Sequence, residues 1–138
     1  MTDPISDMII RVKNAGDAGR RFVYLPYSKM RYSVAEILKK EGFIKSVSSK
    51  DRLVKGSKNQ ASVKFIEIEI LFGENKNPRI NGVQRLSKPS KRVYLKAREI
   101  YPVKNRVGRM IISTPKGIMT DLDARKMNFG GEALFKIW

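Results

Sequence analysis

Residues Arg109–Gly117 read Arg-Met-Ile-Ile-Ser-Thr-Pro-Lys-Gly, an apolar run that ends in a small, hydroxyl-rich, cationic turn. A run of this kind, stopped by Pro and Gly, predicts a buried strand. Thirteen residues after the turn comes Gly130-Gly131-Glu132, followed by Ala-Leu-Phe-Lys-Ile-Trp138, a second strand candidate. The region is therefore committed to a sheet whose framework delivers Ser113, Thr114 and Lys116 to one exposed corner. Short, stiff hydroxyls beside a positive charge suit a sugar–phosphate chain of defined shape, and Gly117 lets a backbone approach closely. A plain β-turn is the competing reading of the same residues, as a tight turn is for Gly130-Gly131.

The charge points to a polyanion. The 138 residues include 29 Lys and Arg against 13 Asp and Glu, a formal charge of +16. Self-repulsion at that excess opposes compaction, so a partner such as nucleic acid or an anionic membrane surface is implied. No run of about 18 apolar residues could span a bilayer. The opening Met-Thr-Asp-Pro lacks the basic and apolar regions of a signal peptide, so neither membrane nor secretion is expected. Cys and His are absent. That removes disulfides, Cys/His zinc sites, thiol nucleophiles and the commonest acid–base group at neutral pH. Asp7, Asp121, Asp123 and Glu132 show no catalytic spacing, so no catalytic residue, metal site or cofactor is expected.

Local patterns give an α+β fold. Asp3 and Pro4 open a helix with Ile5, Met8, Ile9 and Val12 at helical spacing, ending at Asn14-Ala15-Gly16. Phe22–Leu25 reads as a strand stopped by Pro26. Ser28 caps a second helix whose inner face is Met30, Val34, Ile37 and Leu38, with Gly42 as its stop. Phe43–Val47 predicts a strand, residues 48–60 a polar hairpin loop, and residues 61–72 an alternating strand. There Val63 and Phe65 imply a bulge or a second, partly covered face. The turn-forming stretch Gly73–Gly82 marks a domain boundary. Beyond it, residues 83–87, 92–95, 109–113 and 132–138 predict short strands, Ala97–Tyr101 one helical turn, and Thr120 the cap of a short helix to Met127. The expectation is two small domains. Residues 1–82 form an N-terminal α/β domain with two helices on a short sheet, and residues 83–138 a mostly β domain with a short helix, its core plugged by Trp138. The second holds 13 basic and 4 acidic side chains, and Arg85–Lys116 has ten cations and one acid, Glu99.

Several pieces of the chain occur in a fixed order: Asp3-Pro4-Ile5-Ser6-Asp7-Met8 with Arg11 and Asn14; Pro26-Tyr27-Ser28-Lys29; Glu41-Gly42-Phe43-Ile44; Arg85-Leu86-Ser87-Lys88-Pro89; Arg92-Val93-Tyr94. Ile112–Asp121, Ala124-Arg125 and Gly130-Gly131-Glu132 complete the series. Together they resemble, nearly end to end, the bacterial-type family of the eighth protein of the small ribosomal subunit. Two departures stand out. Pro115 replaces a Ser usual in the family's signature turn, deleting a hydroxyl and an N–H. Asn105-Arg106-Val107-Gly108-Arg109 replaces a Gly-rich approach.

The resemblance implies a structural, non-enzymatic protein of the small subunit. It also implies a primary binder of small-subunit ribosomal RNA that attaches to the central domain and helps assemble the platform. Neighbouring small-subunit proteins are further partners, as is its own messenger RNA in some bacteria. The location implied is a bacterial cytoplasmic ribosome, or an organellar one. By the same resemblance Ser113, Thr114, Lys116, Gly117 and Glu132 form the RNA site. There Glu132 either accepts from a base amino group or orients a neighbouring cation. Tyr94 is assigned to stacking, and Arg85, Lys88, Lys91 and Arg92 to phosphate. Thr2, Asp3, Pro4, Arg11 and Asn14 are candidate contacts to a second RNA helix, although helix-start chemistry explains Asp3 and Pro4 equally well, and Ser28 and Lys29 are further RNA-binding candidates. A DNA-binding architectural protein is the alternative, and a metal-dependent nuclease using Asp121 and Asp123 is a third reading.

Overall fold

The structure, a computed structural model, describes residues 3–53, 62–104 and 107–138. Thr2, Ala61 and the Asn105-Arg106 approach, all singled out above, lie outside the described residues. The chain divides into two compact units, one of Asn14–Arg79 and one of Met1–Lys13 with Ile80–Trp138. The turn-forming stretch ahead of Val83 suggested a boundary at residue 82. Packing also assigns the first thirteen residues to the C-terminal unit. The architecture is the expected mixed α+β, with a helix-rich N-terminal part and a strand-rich C-terminal part.

Helix α1 spans Pro4–Asp17. Asp3 begins it, its carboxylate accepting from the Ser6 N–H at 3.2 Å and the Ser6 hydroxyl at 2.7 Å. Ile5, Met8, Ile9 and Val12 are buried as their spacing predicts. The helix runs past its expected end, however. Ala15 is buried, and the bare Cα of Gly16 lies against the Pro78 side chain. Gly16 therefore serves close packing inside the helix rather than stopping it.

In the unit Asn14–Arg79, β1 (Phe22–Pro26), β2 (Ile44–Leu53) and β3 (Ser62–Ile70) form an antiparallel sheet in the order β1-β3-β2. Helix α2 (Lys29–Lys40) is capped by the Ser28 side chain, which accepts from the Arg31 N–H at 3.1 Å. It ends at Gly42, φ 80°. Its buried residues are Val34, Ala35 and Leu38, whereas Met30 is exposed. Helical spacing reports direction around the axis but not whether a partner extends beneath the first turn. Strand β2 also continues six residues beyond Val47, into the stretch expected to be loop, pairing Ser48–Leu53 with Glu67–Ser62. A strand paired through its backbone needs no apolar period where both faces meet solvent. The remainder of that expected loop, residues 54–60, lies outside the described residues. Ile66, Ile68 and Ile70 are buried on one side of β3, and its pairing through Phe65 is regular, so Val63 and Phe65 belong to a second face rather than a bulge.

In the other unit, β4 (Val83–Arg85), β5 (Tyr94–Leu95), β6 (Arg109–Thr114), β7 (Gly117–Thr120) and β8 (Gly131–Ile137) make a five-stranded antiparallel sheet. β8 is central, flanked by β6 on one side and by β4 and β5 on the other, with β7 outside β6. Met110, Ile112, Ala133 and Ala124 form a core with Ile100 and Val103, and Trp138 packs against it. Helix α3 (Asp121–Met127) is capped by Thr120. The Asp121 carboxylate is buried and accepts from the Met110 N–H at 3.1 Å, tying α3 to β6.

Candidate nucleic-acid interface

The turn between β6 and β7 is built by its own side chains. Thr114 pairs with Gly117, leaving Pro115 and Lys116 at the tip. Both tip residues are exposed. Gly117 has φ 119°, a conformation that side chains disfavour. Successive strand residues face opposite sides, and that separates the two hydroxyls. Ser113 is half-exposed, while Thr114 is 8% exposed. The Thr114 hydroxyl donates to the Gly117 carbonyl at 2.7 Å and accepts from the Lys116 N–H at 3.2 Å. The expectation that Thr114 stands on the open corner beside Ser113 is corrected: its hydroxyl stitches the turn together.

Across the sheet, Tyr94 on β5 is opposite Glu132 on β8, and Glu132 is opposite Ser113 on β6. Directly opposed residues share a face of the sheet, so Tyr94, Glu132 and Ser113 form one row. Tyr94 is 69% exposed. Gly131 makes the row possible, because a Cβ there would lie 2.1 Å from the Ser113 carbonyl oxygen. Glu132 is held on two sides. The buried Ser87 hydroxyl donates to its carboxylate, and Arg92 donates to the same oxygen at 3.0 Å. Burial pushes the Glu132 carboxyl up, but the Ser87 and Arg92 bonds outweigh it and hold the group below the usual glutamate range. Glu132 is thus paired with a neighbouring cation, Arg92.

Beside this row lies a tight turn. The Lys88 N–H donates to the Lys91 carbonyl at 2.9 Å and the Lys91 N–H to the Lys88 carbonyl at 3.0 Å, with Pro89 and Ser90 between them. Lys88 and Lys91 are both exposed. Ser87 links the turn to the row, since it also accepts from the Val93 N–H at 3.2 Å. Sequence reasoning missed Ser87. The available signal was a small hydroxyl set between apolar Leu86 and a Lys-Pro-Ser-Lys turn.

Arg85 is not an open phosphate contact. Its guanidinium makes two bonds to the Asp3 carboxylate, at 3.0 and 3.2 Å, and donates to the Leu134 carbonyl. Leu134 is the extra residue where the β6–β8 register shifts, which turns its carbonyl toward β4. The Asp3 carboxyl, pushed up by burial, is nevertheless drawn down to about 2 by Arg85 and Ser6. Asp3 and Arg85 thus bind each other. Ser28 is a helix cap, and Arg11, exposed on α1, pairs with Asp7 at 3.1 Å. Pro4, Asn14 and Lys29 are exposed. Among the described residues no three acidic groups gather to hold a metal ion.

The row, its two lysine-bearing turns and the α+β framework describe a structured cationic binding protein. A sequence model of the family described as "Ribosomal protein S8" matches residues 3–138, and the chain belongs to that family. It is 45% identical over 138 residues to the small ribosomal subunit protein uS8 of Persephonella marina, covering 100% of this chain and 99% of that protein. The uS8 protein of Caldanaerobacter subterraneus is 44% identical and that of Staphylococcus epidermidis 41%, each across all of this chain and 98% of the relative. The family is one of structural ribosomal proteins, not of enzymes, and it gives no support to the DNA-binding alternative.

Proposed function

We propose that this chain binds small-subunit ribosomal RNA through the end of its C-terminal sheet and helps assemble the platform of a bacterial cytoplasmic ribosome. The observation that carries the reading is the row Tyr94–Glu132–Ser113, set between the Lys88–Lys91 turn and the Lys116 turn. The lysines neutralise phosphates and set affinity without sequence choice. Ser113 bonds a ribose or a base edge in a wide minor groove, and Tyr94 stacks on an unpaired base. Glu132 and Ser87 hold Arg92 in place. Pro4, Arg11 and Asn14 supply contacts to a second RNA helix, and Lys29 is a further RNA contact.

The test is titration of the full chain with a structured hairpin from the central domain of small-subunit RNA, and with a DNA duplex of equal length. Preference for the hairpin supports the reading; preference for the DNA overturns it. Ser113→Ala is expected to weaken the cognate hairpin by about 1 kcal/mol while leaving unrelated RNAs unaffected. Equal loss on every RNA would contradict a discriminating role. Lys88→Ala and Lys91→Ala are expected to weaken all RNAs alike. Each lowers the slope of log affinity against log salt by roughly 0.7–0.9, measured between low and moderate ionic strength.

A further inference from the structure

We propose that the outer face of the β1–β3–β2 sheet is a further RNA-binding site, a stacking platform for unpaired nucleotides. Strand alternation puts Val23, Leu25, Ile66, Ile68 and Ile70 on the buried side. The opposite side follows from the register. Phe22 lies across from Glu69, Tyr24 from Glu67, and Pro26 from Phe65, which is across from Lys50; Val63 is opposite Arg52. Three aromatic rings therefore crowd a face that does not line the core. Tyr24 meets Phe65 edge-on at 5.9 Å and Phe22 at 6.4 Å. Tyr24 is 54% exposed and Val63 52%. With Pro26, Phe65 and Arg52 they line an open groove of about 580 Å³.

The charges around the rings select the occupant. Arg21 sits 5.0 Å from the Phe22 ring centre and bonds Glu69 at 2.9 Å. Lys45 approaches the same carboxylate at 3.7 Å, and Lys50 pairs with Glu67. Both carboxylates are thus already matched, and Arg52 is exposed at the groove beside the rings. Four cations stand against two neutralised anions. An apolar protein surface laid here would strip water from all six groups without replacing it. A single strand of RNA instead offers base faces to Tyr24 and Phe65 and phosphates to Arg52 and Arg21. This site lies in a different unit from the row of the C-terminal sheet and does not depend on it.

The experiment titrates the full chain with a fluorescent single-stranded oligouridylate of about eight nucleotides, within the usual site size. Tyr24→Ala is expected to weaken binding roughly 5- to 150-fold, the range for loss of one stacked base, and Tyr24→Phe to change it little. Ser113→Ala leaves oligouridylate binding unchanged, and Tyr24→Ala leaves the structured hairpin unchanged, so the two sites succeed or fail separately. In the unaltered chain, photocrosslinking with iodouridine-substituted oligonucleotide is expected at Tyr24 or Phe65. Oligouridylate affinity indifferent to both Tyr24→Ala and Phe65→Leu, or crosslinks confined to the C-terminal unit, overturns the proposal. So does an acidic protein segment covering this face in the assembled particle.

Discussion

Gly131→Ala is expected to be the most damaging single-methyl change in the C-terminal unit. The added carbon would fall 2.1 Å from the Ser113 carbonyl oxygen and 3.1 Å from the Thr114 Cα, both of them backbone atoms. A flexible side chain could rotate away; a paired strand cannot. Relief requires β6 and β8 to separate at Ser113–Glu132, where the strands are joined. Overpacking of this kind costs about 3 kcal/mol or more. For a chain of this size that lowers the melting temperature by on the order of 10 °C. Chemical denaturation of the variant beside the parent checks it. Hairpin affinity should fall with stability, because the distorted segment carries the row itself. A variant of unchanged stability would mean that β8 meets β6 less closely than described.

Arg85→Ala separates two roles that the sequence alone left merged. If the guanidinium mainly gripped phosphate, its loss would weaken RNA binding and spare the fold. The structure predicts the reverse emphasis. Removing it takes from the Asp3 carboxylate its charged partner, leaving the Ser6 bonds, and from the Leu134 carbonyl one of its donors, at a cost of about 2–3 kcal/mol, less than for a fully enclosed pair. The pH dependence follows with a defined sign. The Asp3 carboxyl titrates at about 2 in the folded chain, against an ordinary value of 3.8. Its stabilisation is therefore complete above the ordinary value and is lost as pH falls from about 4 towards 2. Partial solvent exposure limits this contribution to about 1–2 kcal/mol. Asp3→Asn should flatten that part of the acid-unfolding curve, and Arg85→Met should reduce the same pH dependence without abolishing it, because the Ser6 bonds to Asp3 remain.

What could be read from sequence was whatever depends on near neighbours. Helix caps at Asp3, Ser28 and Thr120, the stop at Gly42 and the strand-to-turn transition at Ser113 are local devices, and each appears in the structure. Features set by distant partners were harder to see. Arg85 looks like any other exposed cation in a basic stretch; only the fold brings Asp3 to it across 82 residues. Thr114 and Ser113 are chemically alike, and just the alternation of the strand assigns one inward and one outward. The outer extension of β2 escaped because its polar residues pair through the backbone, leaving no apolar period to detect. The aromatic face at Tyr24 was hidden for a related reason, since strand aromatics usually signal a core.

The pairing of Asp3 with Arg85 also has a consequence for the order of events during synthesis. Residues 14–79 contain all the strands of their own sheet and can collapse as soon as they leave the ribosome that makes them. The segment around Asp3, although it emerges first, must wait for β4 and β8. At roughly 5–20 residues per second, the interval before Arg85 is even polymerised is about 4–16 s. The unit bearing Ser113 and Glu132 thus matures late, and a newborn chain has one finished half well before the other.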